Sequence, residues 1–150
     1  MSAAVALSSA PGHTVLAFDF GEKYLGVAVG DTETRIAHPL AMIQAEDAQK
    51  RLSEIDVFLR EWRPQKLLVG LPLALSGEAH SLTARARRFA RQLAARYRLP
   101  VEFADERLSS AAAEEILRER GRGGRKNKHL SHALAAKIIL QAYLDESARR

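Results

Sequence analysis

Carboxylates and one imidazole stand where secondary structure elements of this chain are predicted to end or begin. Asp19 lies in the apolar run LAFDFG, residues 16–21, directly before a predicted turn at Gly21. A carboxylate in a buried strand is costly unless it is paired, hydrogen-bonded or bound to a metal. Asp105 and Glu106 follow another predicted strand, and His132 begins the last predicted helix. Because the carboxyl ends of parallel strands face one crevice, we expect these side chains to meet there.

Carboxylate oxygens gathered in one crevice suit hard divalent cations such as Mg²⁺ or Mn²⁺. Two such cations about 4 Å apart can activate water and stabilise a leaving oxygen in phosphodiester cleavage. Alternation along the strand sends Asp105 and Glu106 to opposite sides, so only one of them is expected to face the crevice. Three structural alternatives stay open. Asp19 could cap a turn, Asp105 and Glu106 could form a surface ion-pair cluster with Arg107, and His132 could be a helix residue with no ligand role.

Hydrophobic periodicity predicts an α/β domain that positions these residues. Apolar runs predict strands at residues 14–20, 25–29, 35–40, 66–73 and 101–104. Helices are predicted at residues 46–62, 81–97, 111–119 and 131–146. In the first helix, Leu52, Ile55, Leu59 and Trp62 form one apolar stripe, which predicts that they lie in the core. The order predicts a mixed five-stranded sheet flanked by helices, which begins as an antiparallel meander and continues through right-handed βαβ crossovers.

Length and composition fit one globular domain. The chain has 150 residues, of which 47% are hydrophobic, and it has no cysteine. We predict a disordered extension at residues 1–13 and a single domain at residues 14–150, because no linker justifies a second one. Cysteine chemistry is excluded, and no apolar run approaches the length of a membrane span. The first residues lack the basic start of a signal peptide, so we expect a cytoplasmic protein.

The net charge of +5 suits a polyanionic partner such as nucleic acid. The positive excess is confined to the second half of the chain, in two clusters. The first runs from Arg85 to Arg98 on a predicted helix, and the second runs from Arg118 to Lys128, mostly in a glycine-rich loop. Basic side chains in these clusters are predicted to contact phosphates, and Tyr24 is the candidate for stacking on a base. The predicted nucleic-acid-binding residues are Arg85, Arg88, Arg107, Arg122, Arg125, Lys126 and Lys128.

Several motifs, in order along almost the whole chain, closely resemble the YqgF/RuvX family. They are FDFG at 18–21, GVAVGD at 26–31, VGLPL at 69–73, DERLS at 105–109, KNK at 126–128, and AA at 135–136 with IILQAYL at 138–144. The resemblance implies a ribonuclease H-like, RuvC-type fold. It also implies a metal-dependent nuclease, active in processing the 5′ end of pre-16S rRNA, or alternatively a Holliday junction resolvase on branched DNA.

The resemblance also implies roles for individual residues. Asp19 matches the family's catalytic aspartate in the first strand, and Glu106 matches the acidic residue of its D-E-R-x-S motif. The third acidic residue of the family lies eight positions before the leucine of Ile-Ile-Leu, which is Leu140 here, and that position holds His132. Asp19, Glu106 and His132 are therefore the predicted catalytic and metal-binding residues, with Mn²⁺ possible alongside Mg²⁺ because imidazole is the softer ligand.

Two further readings remain open. The FDFG run followed by GVAV also resembles the phosphate-binding hairpin of sugar kinases and actin-like ATPases, although these close two such domains around a nucleotide. A third reading is a non-catalytic RNA-binding factor of ribosome assembly, in which His132 marks a lost metal site. Expected partners are pre-rRNA or branched DNA, with ribosomal precursor particles a further candidate and no membrane. The protein is expected to be a monomer or a homodimer.

Overall fold

The computed structural model of the chain describes residues 13–21, 23–44, 46–70, 79–104, 118 and 128–148. Five strands and three long helices follow one another in these residues. In chain order they are β1 (Thr14–Phe20), β2 (Tyr24–Asp31), β3 (Ile36–Gln44), α1 (Ala48–Trp62), β4 (Lys66–Gly70), α2 (Ala79–Tyr97), β5 (Val101–Ala104) and α3 (Lys128–Ala148). The helix predicted at residues 111–119 lies outside the described residues, apart from Arg118, which is helical and exposed.

The five strands form one mixed sheet in the order β3-β2-β1-β4-β5. β1, β2 and β3 pair antiparallel, and β4 and β5 pair parallel with β1 and β4. The central position of β1 explains why all its residues after Thr14 are buried, because both of its faces are covered. The predicted mixed five-stranded sheet flanked by helices is therefore confirmed.

Alternation along β1 divides the core into two layers. Leu16, Phe18 and Phe20 face one side and pack with residues of α1 and α2, among them Ile55 and Phe89. Val15 and Ala17 face the other side, where they pack against the alanine-rich part of α3. The side chains are large on the first face and small on the second. Small side chains let a helix axis approach the sheet closely, so α3 lies tight against β1 and β2.

The edge strand β3 is longer than the sequence indicates. It was predicted to end near Pro39, but it continues to Gln44 because its pairing with β2 shifts register, with Val27 opposite Ala41 and Ala28 opposite Pro39. A proline is tolerated there since β3 has a neighbour on one side only and the register shift forms a bulge. The amide of Gln141 on α3 holds this strand, since its Oε1 accepts the Ala37 N–H at 3.0 Å.

The ends of α1 follow ordinary capping chemistry. The Asp47 carboxylate accepts the backbone N–H of Gln49 at 2.9 Å and so caps the start of the helix. Arg63 adopts a left-handed conformation with φ of 45°, and its N–H bonds to the Leu59 carbonyl at 3.0 Å. The helix thus ends just before Pro64, as predicted. Trp62 is 38% exposed, however, so its predicted place in the core is wrong.

A polar cluster joins β4, β5 and α3 near the amino end of β4. The Lys66 Nζ donates to the Tyr143 hydroxyl at 2.8 Å and pairs with the Glu102 carboxylate. Hydrogen bonds to Glu102 and Tyr143 raise the pKa of Lys66. This cluster lies at the amino end of β4, whereas Asp19 lies near the carboxyl end of the parallel strand β1. It therefore holds the later part of α3 at the opposite end of the sheet from Asp19. Within the described residues, no helix combines the length and apolarity needed to cross a bilayer.

Candidate metal-binding and catalytic site

Asp19 is the penultimate residue of β1 and points to the α3 side of the sheet. Its side chain is 2% exposed. Its partners in the neighbouring strands are Gly26 on β2 and Gly70 on β4, so no side chain flanks it on either strand. The burial predicted for Asp19 is therefore observed, and the two glycines leave room around its carboxylate for groups delivered by another element.

The element that fills this room is the first part of α3. A Cβ atom at Gly26 would overlap the carbonyl oxygen of His132 and would lie 3.2 Å from the Ala133 nitrogen. At Gly70 a Cβ would lie 2.5 Å from Cδ1 of Ile139. Gly26 is thus required by the close approach of the α3 backbone, whereas a Cβ at Gly70 would displace the end of one side chain. The approach of α3 brings His132 over Asp19. The sequence analysis did not assign this role to Gly26, although two glycines opposite one buried aspartate are a readable signal once the register is known.

His132 and Asp19 face each other directly. The His132 Nδ1 lies 3.4 Å from the Asp19 Oδ2, and the imidazole is 18% exposed. Although Nδ1 is buried, it makes no hydrogen bond with any described residue. The structure therefore brings together two of the three predicted catalytic residues, which are far apart in sequence.

Tyr24 holds the other side of the imidazole. Its ring stacks on that of His132 with centroids 5.3 Å apart and planes inclined by 28°. The Gly21 backbone also lies close, since a Cβ there would be 3.5 Å from the His132 Cε1. The sequence analysis expected Tyr24 to stack on a nucleic-acid base. In the structure this ring packs against His132 and restricts the orientation of the imidazole.

The pair has donor chemistry that fits a divalent cation. A carboxylate oxygen and an imidazole nitrogen both ligate Mn²⁺ or Mg²⁺, and adjacent ligands of an octahedral Mg²⁺ ion lie about 3 Å apart. The Oδ2–Nδ1 distance of 3.4 Å is close to that spacing, and the buried Nδ1 has no competing hydrogen bond among the described residues. The described residues contain no cluster of three or more potential ligands. The third predicted ligand, Glu106, lies outside them.

The predicted nucleic-acid-binding residues are only partly described. Arg85 and Arg88 are both exposed on α2. Lys128 begins α3, and its side chain is not described. Arg107, Arg122, Arg125 and Lys126 lie outside the described residues, as do residues 1–12 of the predicted extension.

Comparison with known proteins identifies the class to which this arrangement belongs. The model of a family described as RuvX, Holliday junction resolvase, matches residues 13–146. A protein of Methylobacillus flagellatus named "Putative pre-16S rRNA nuclease" is 50% identical over 131 residues, which cover 87% of this chain and 90% of that protein. A protein of the same name from Dechloromonas aromatica is 49% identical over 132 residues, covering 88% of this chain and 90% of its own length.

Among solved structures, RuvC of T. thermophilus in complex with Holliday junction substrate shares the fold. The TM-score is 0.62 at 22% identity, with 91% of this chain and 96% of that chain covered. The RuvC-type, ribonuclease H-like fold expected from the sequence motifs is therefore confirmed.

Proposed function

The chain belongs to the RuvX family, and we propose that it is a metal-dependent nuclease that hydrolyses phosphodiester bonds in processing the 5′ end of pre-16S rRNA. The observation that carries the proposal is the buried pair of Asp19 and His132 at the end of β1, with Nδ1 3.4 Å from Oδ2. Relatives about half identical in sequence bear the name of that activity. The names of these relatives support a nuclease over a nucleotide-binding kinase or ATPase domain.

Asp19, His132 and, by family resemblance, Glu106 would hold one or two divalent cations, Mg²⁺ or Mn²⁺. When bound, such a cation supplies a water of lowered pKa and positive charge for the phosphate. The protein's own contribution is position and burial. The two glycines beside Asp19 and the Tyr24 ring fix the carboxylate and the imidazole, and burial keeps bulk water from competing for both groups.

Asp19→Asn tests this assignment directly. We expect it to reduce cleavage of a 5′-extended pre-16S rRNA fragment by more than about 100-fold, because the amide loses the charge that attracts the cation. Binding of the same fragment, measured by gel shift, is expected to persist. Asp56→Asn is the matched control, since Asp56 is a carboxylate on α1 that is engaged with α2. Unchanged cleavage by purified Asp19→Asn would refute the assignment.

His132→Asp tests the cofactor. We expect the imidazole to favour Mn²⁺ over Mg²⁺, and a carboxylate at this position to raise cleavage with Mg²⁺, since Mg²⁺ prefers oxygen ligands. Cleavage is measured with each cation at matched concentrations, and Mn²⁺ affinity is measured by titration with electron paramagnetic resonance. If neither the cation preference nor the Mn²⁺ affinity changes, His132 has no ligand role. Absence of cleavage with either cation, in wild type and variant alike, would favour the non-catalytic RNA-binding alternative.

Holliday junction cleavage is the second candidate, because the matching family model is described as a Holliday junction resolvase. A four-way DNA junction assayed beside the pre-rRNA fragment discriminates the two substrates. Cutting of two opposed strands would call for a homodimer, whereas rRNA processing is compatible with a monomer acting on ribosomal precursor particles in the cytoplasm. Analytical ultracentrifugation with and without the junction measures which state is present.

A further inference from the structure

Arg51 is a half-buried guanidinium on the side of the sheet opposite to Asp19. Its Cζ lies 5.3 Å from the ring centroid of Phe20 and 5.2 Å from that of Phe89. Phe20 is the last residue of β1, and Phe89 belongs to the buried face of α2. The two rings hold the guanidinium by cation–π contact and fix its position.

Arg51 carries a positive charge at the start of a helix, where negative charges are usually preferred. It lies in the first turn of α1 beside Lys50, where the helix dipole favours anions, and that turn has no acidic residue. Asp47 and Glu54 are one turn away on either side, yet among the described residues no carboxylate forms an ion pair with Arg51. Because a desolvated cation is stabilised by a nearby anion, this position suits an external one.

A second arginine increases the positive charge at this place. Arg85 precedes Phe89 by four residues on α2, so the two lie on adjacent turns of the same side of the helix. Burial lowers the pKa of Arg51, and the positive charge of Arg85 lowers it further. The two guanidinium groups thus lie close enough to form one region of positive charge beside Phe89.

Arg51 lies at the same end of the sheet as the pair of Asp19 and His132, namely at the carboxyl end of β1. Phe20 directly follows Asp19 at the carboxyl end of β1, and Tyr24 pairs with Gln44 at the end of β3, from which the chain enters α1. α2 follows β4, which runs parallel to β1, so the first turns of both helices start from this edge. This is the edge where α/β sheets bind ligands. A nucleic-acid strand that passes over this end of the sheet would meet Asp19 on the α3 face and Arg51 on the face covered by α1 and α2.

We propose that Arg51, held between Phe20 and Phe89, contacts a backbone phosphate of the nucleic-acid strand that is cleaved at Asp19. The inference rests on the proposed nuclease function and adds a phosphate-binding position to it. A planar guanidinium suits this task because it binds phosphate oxygens with two parallel hydrogen bonds while its face stacks on an aromatic ring.

The salt dependence of binding tests the contact. Each variant is prepared in the Asp19→Asn background, and its affinity for a fluorescein-labelled single-stranded pre-16S rRNA fragment is measured over a series of KCl concentrations. Arg51→Gln is expected to raise Kd about tenfold and to lower the slope of log K against log salt by about 0.7, the value for one lost phosphate contact on a single strand. Arg51→Lys keeps the charge and should keep the slope.

Arg60→Gln is the matched control. Arg60 is exposed on the same helix, nine residues further along, which is about 14 Å from Arg51. The Arg60→Gln variant removes one positive charge and leaves the contact of Arg51 with Phe20 intact. Its slope of log K against log salt should therefore equal that of the Asp19→Asn parent. If Arg51→Gln and Arg60→Gln have the same slope, Arg51 only covers the two rings and the inference is wrong. If the Asp19→Asn parent binds no RNA and the wild type cleaves none, the proposed function fails as well, so the two failures are distinguishable.

Discussion

Asp19 and Asp56 are both carboxylates held in place by the fold, yet their surroundings differ. The Asp56 side chain is 22% exposed and accepts hydrogen bonds from Arg96 at 2.9 and 2.7 Å and from Tyr97 at 2.6 Å. Asp19 is 2% exposed, and the His132 Nδ1 faces it at 3.4 Å without forming a hydrogen bond. The two carboxylates thus differ in their described neighbours, since Asp56 is bonded to two residues of α2 whereas Asp19 faces an imidazole of α3.

The difference separates a structural ion pair from a candidate site. Hydrogen bonds from Arg96 lower the pKa of Asp56 to about 2, and the contact joins α1 to α2. At Asp19 the nearby donor is held by backbone packing and ring stacking at a spacing suited to a shared cation. The hydrogen bonds of Asp56 stabilise the packing of two helices, whereas the buried imidazole beside Asp19 is oriented by its neighbours, as expected of a residue in a functional site.

The largest expected effect comes from closing the space beside Asp19. Gly26→Ala places a Cβ against the His132 carbonyl, and backbone cannot move aside as a side chain can. We expect the free energy of unfolding to fall by about 3 kcal/mol and cleavage to be lost. Gly30→Ala is the control, because a Cβ there meets only the Leu140 and Leu144 side chains, the nearest atom being 2.8 Å away. Urea unfolding measures both. If Gly26→Ala and Gly30→Ala lower the free energy of unfolding equally, the position of α3 does not depend on Gly26.

An intermediate effect, of a different kind, is expected at the other carboxylate. Asp56→Asn should lower Tm by a few degrees and leave cleavage unchanged, because it removes charge-assisted hydrogen bonds far from the site. Solvent screening of this partly exposed pair keeps the loss modest. Thermal unfolding and the cleavage assay are run together. A loss of cleavage comparable to that of Asp19→Asn would end the distinction between the two carboxylates.

The pH dependence of stability should separate this variant from the wild type. The folded-state pKa of Asp56 lies below its ordinary value, so its stabilisation is present above about pH 4 and is lost as pH falls towards about 2. The Tm difference between wild type and Asp56→Asn is therefore expected to be largest near neutral pH and to shrink in this acid window. A difference that is constant with pH would mean that the carboxylate charge contributes nothing.

The smallest expected effect concerns the Tyr24 ring. Tyr24→Ala removes the stack on His132, which should cost less than about 1.5 kcal/mol of stability and about tenfold in cleavage, as for groups that orient a ligand residue. Tyr24→Phe keeps the ring and should cleave like the wild type. Cleavage rate and Mn²⁺ affinity are both measured. If cleavage by Tyr24→Phe is reduced as much as cleavage by Tyr24→Ala, the Tyr24 hydroxyl is important for cleavage and the ring stacking is not.

Much of this arrangement could be predicted from local sequence. The apolar runs predicted all five strands of the mixed sheet, and the apolar neighbours of Asp19 predicted that its carboxylate is buried. Less predictable were the features that depend on neighbours in space. The helical stripe placed Trp62 in the core, but α1 ends where the sheet no longer covers it. Pro39 was predicted to end β3, whereas the bulge opposite Val27 and Ala28 lets the edge strand continue.

The sequence by itself determined the fold class, the family and the burial of Asp19, because these follow from periodicity and from motifs within short segments. The sequence also predicted that Asp19 and His132 meet, but only the tertiary structure decided that Nδ1 of His132 lies 3.4 Å from the carboxylate, since this depends on the close approach of α3 to β2 at Gly26. It alone placed Arg51 against Phe20 and Phe89, three residues from three elements. Such contacts are set by strand register and by the volume of side chains on each face of the sheet, and neither quantity is contained in a local pattern.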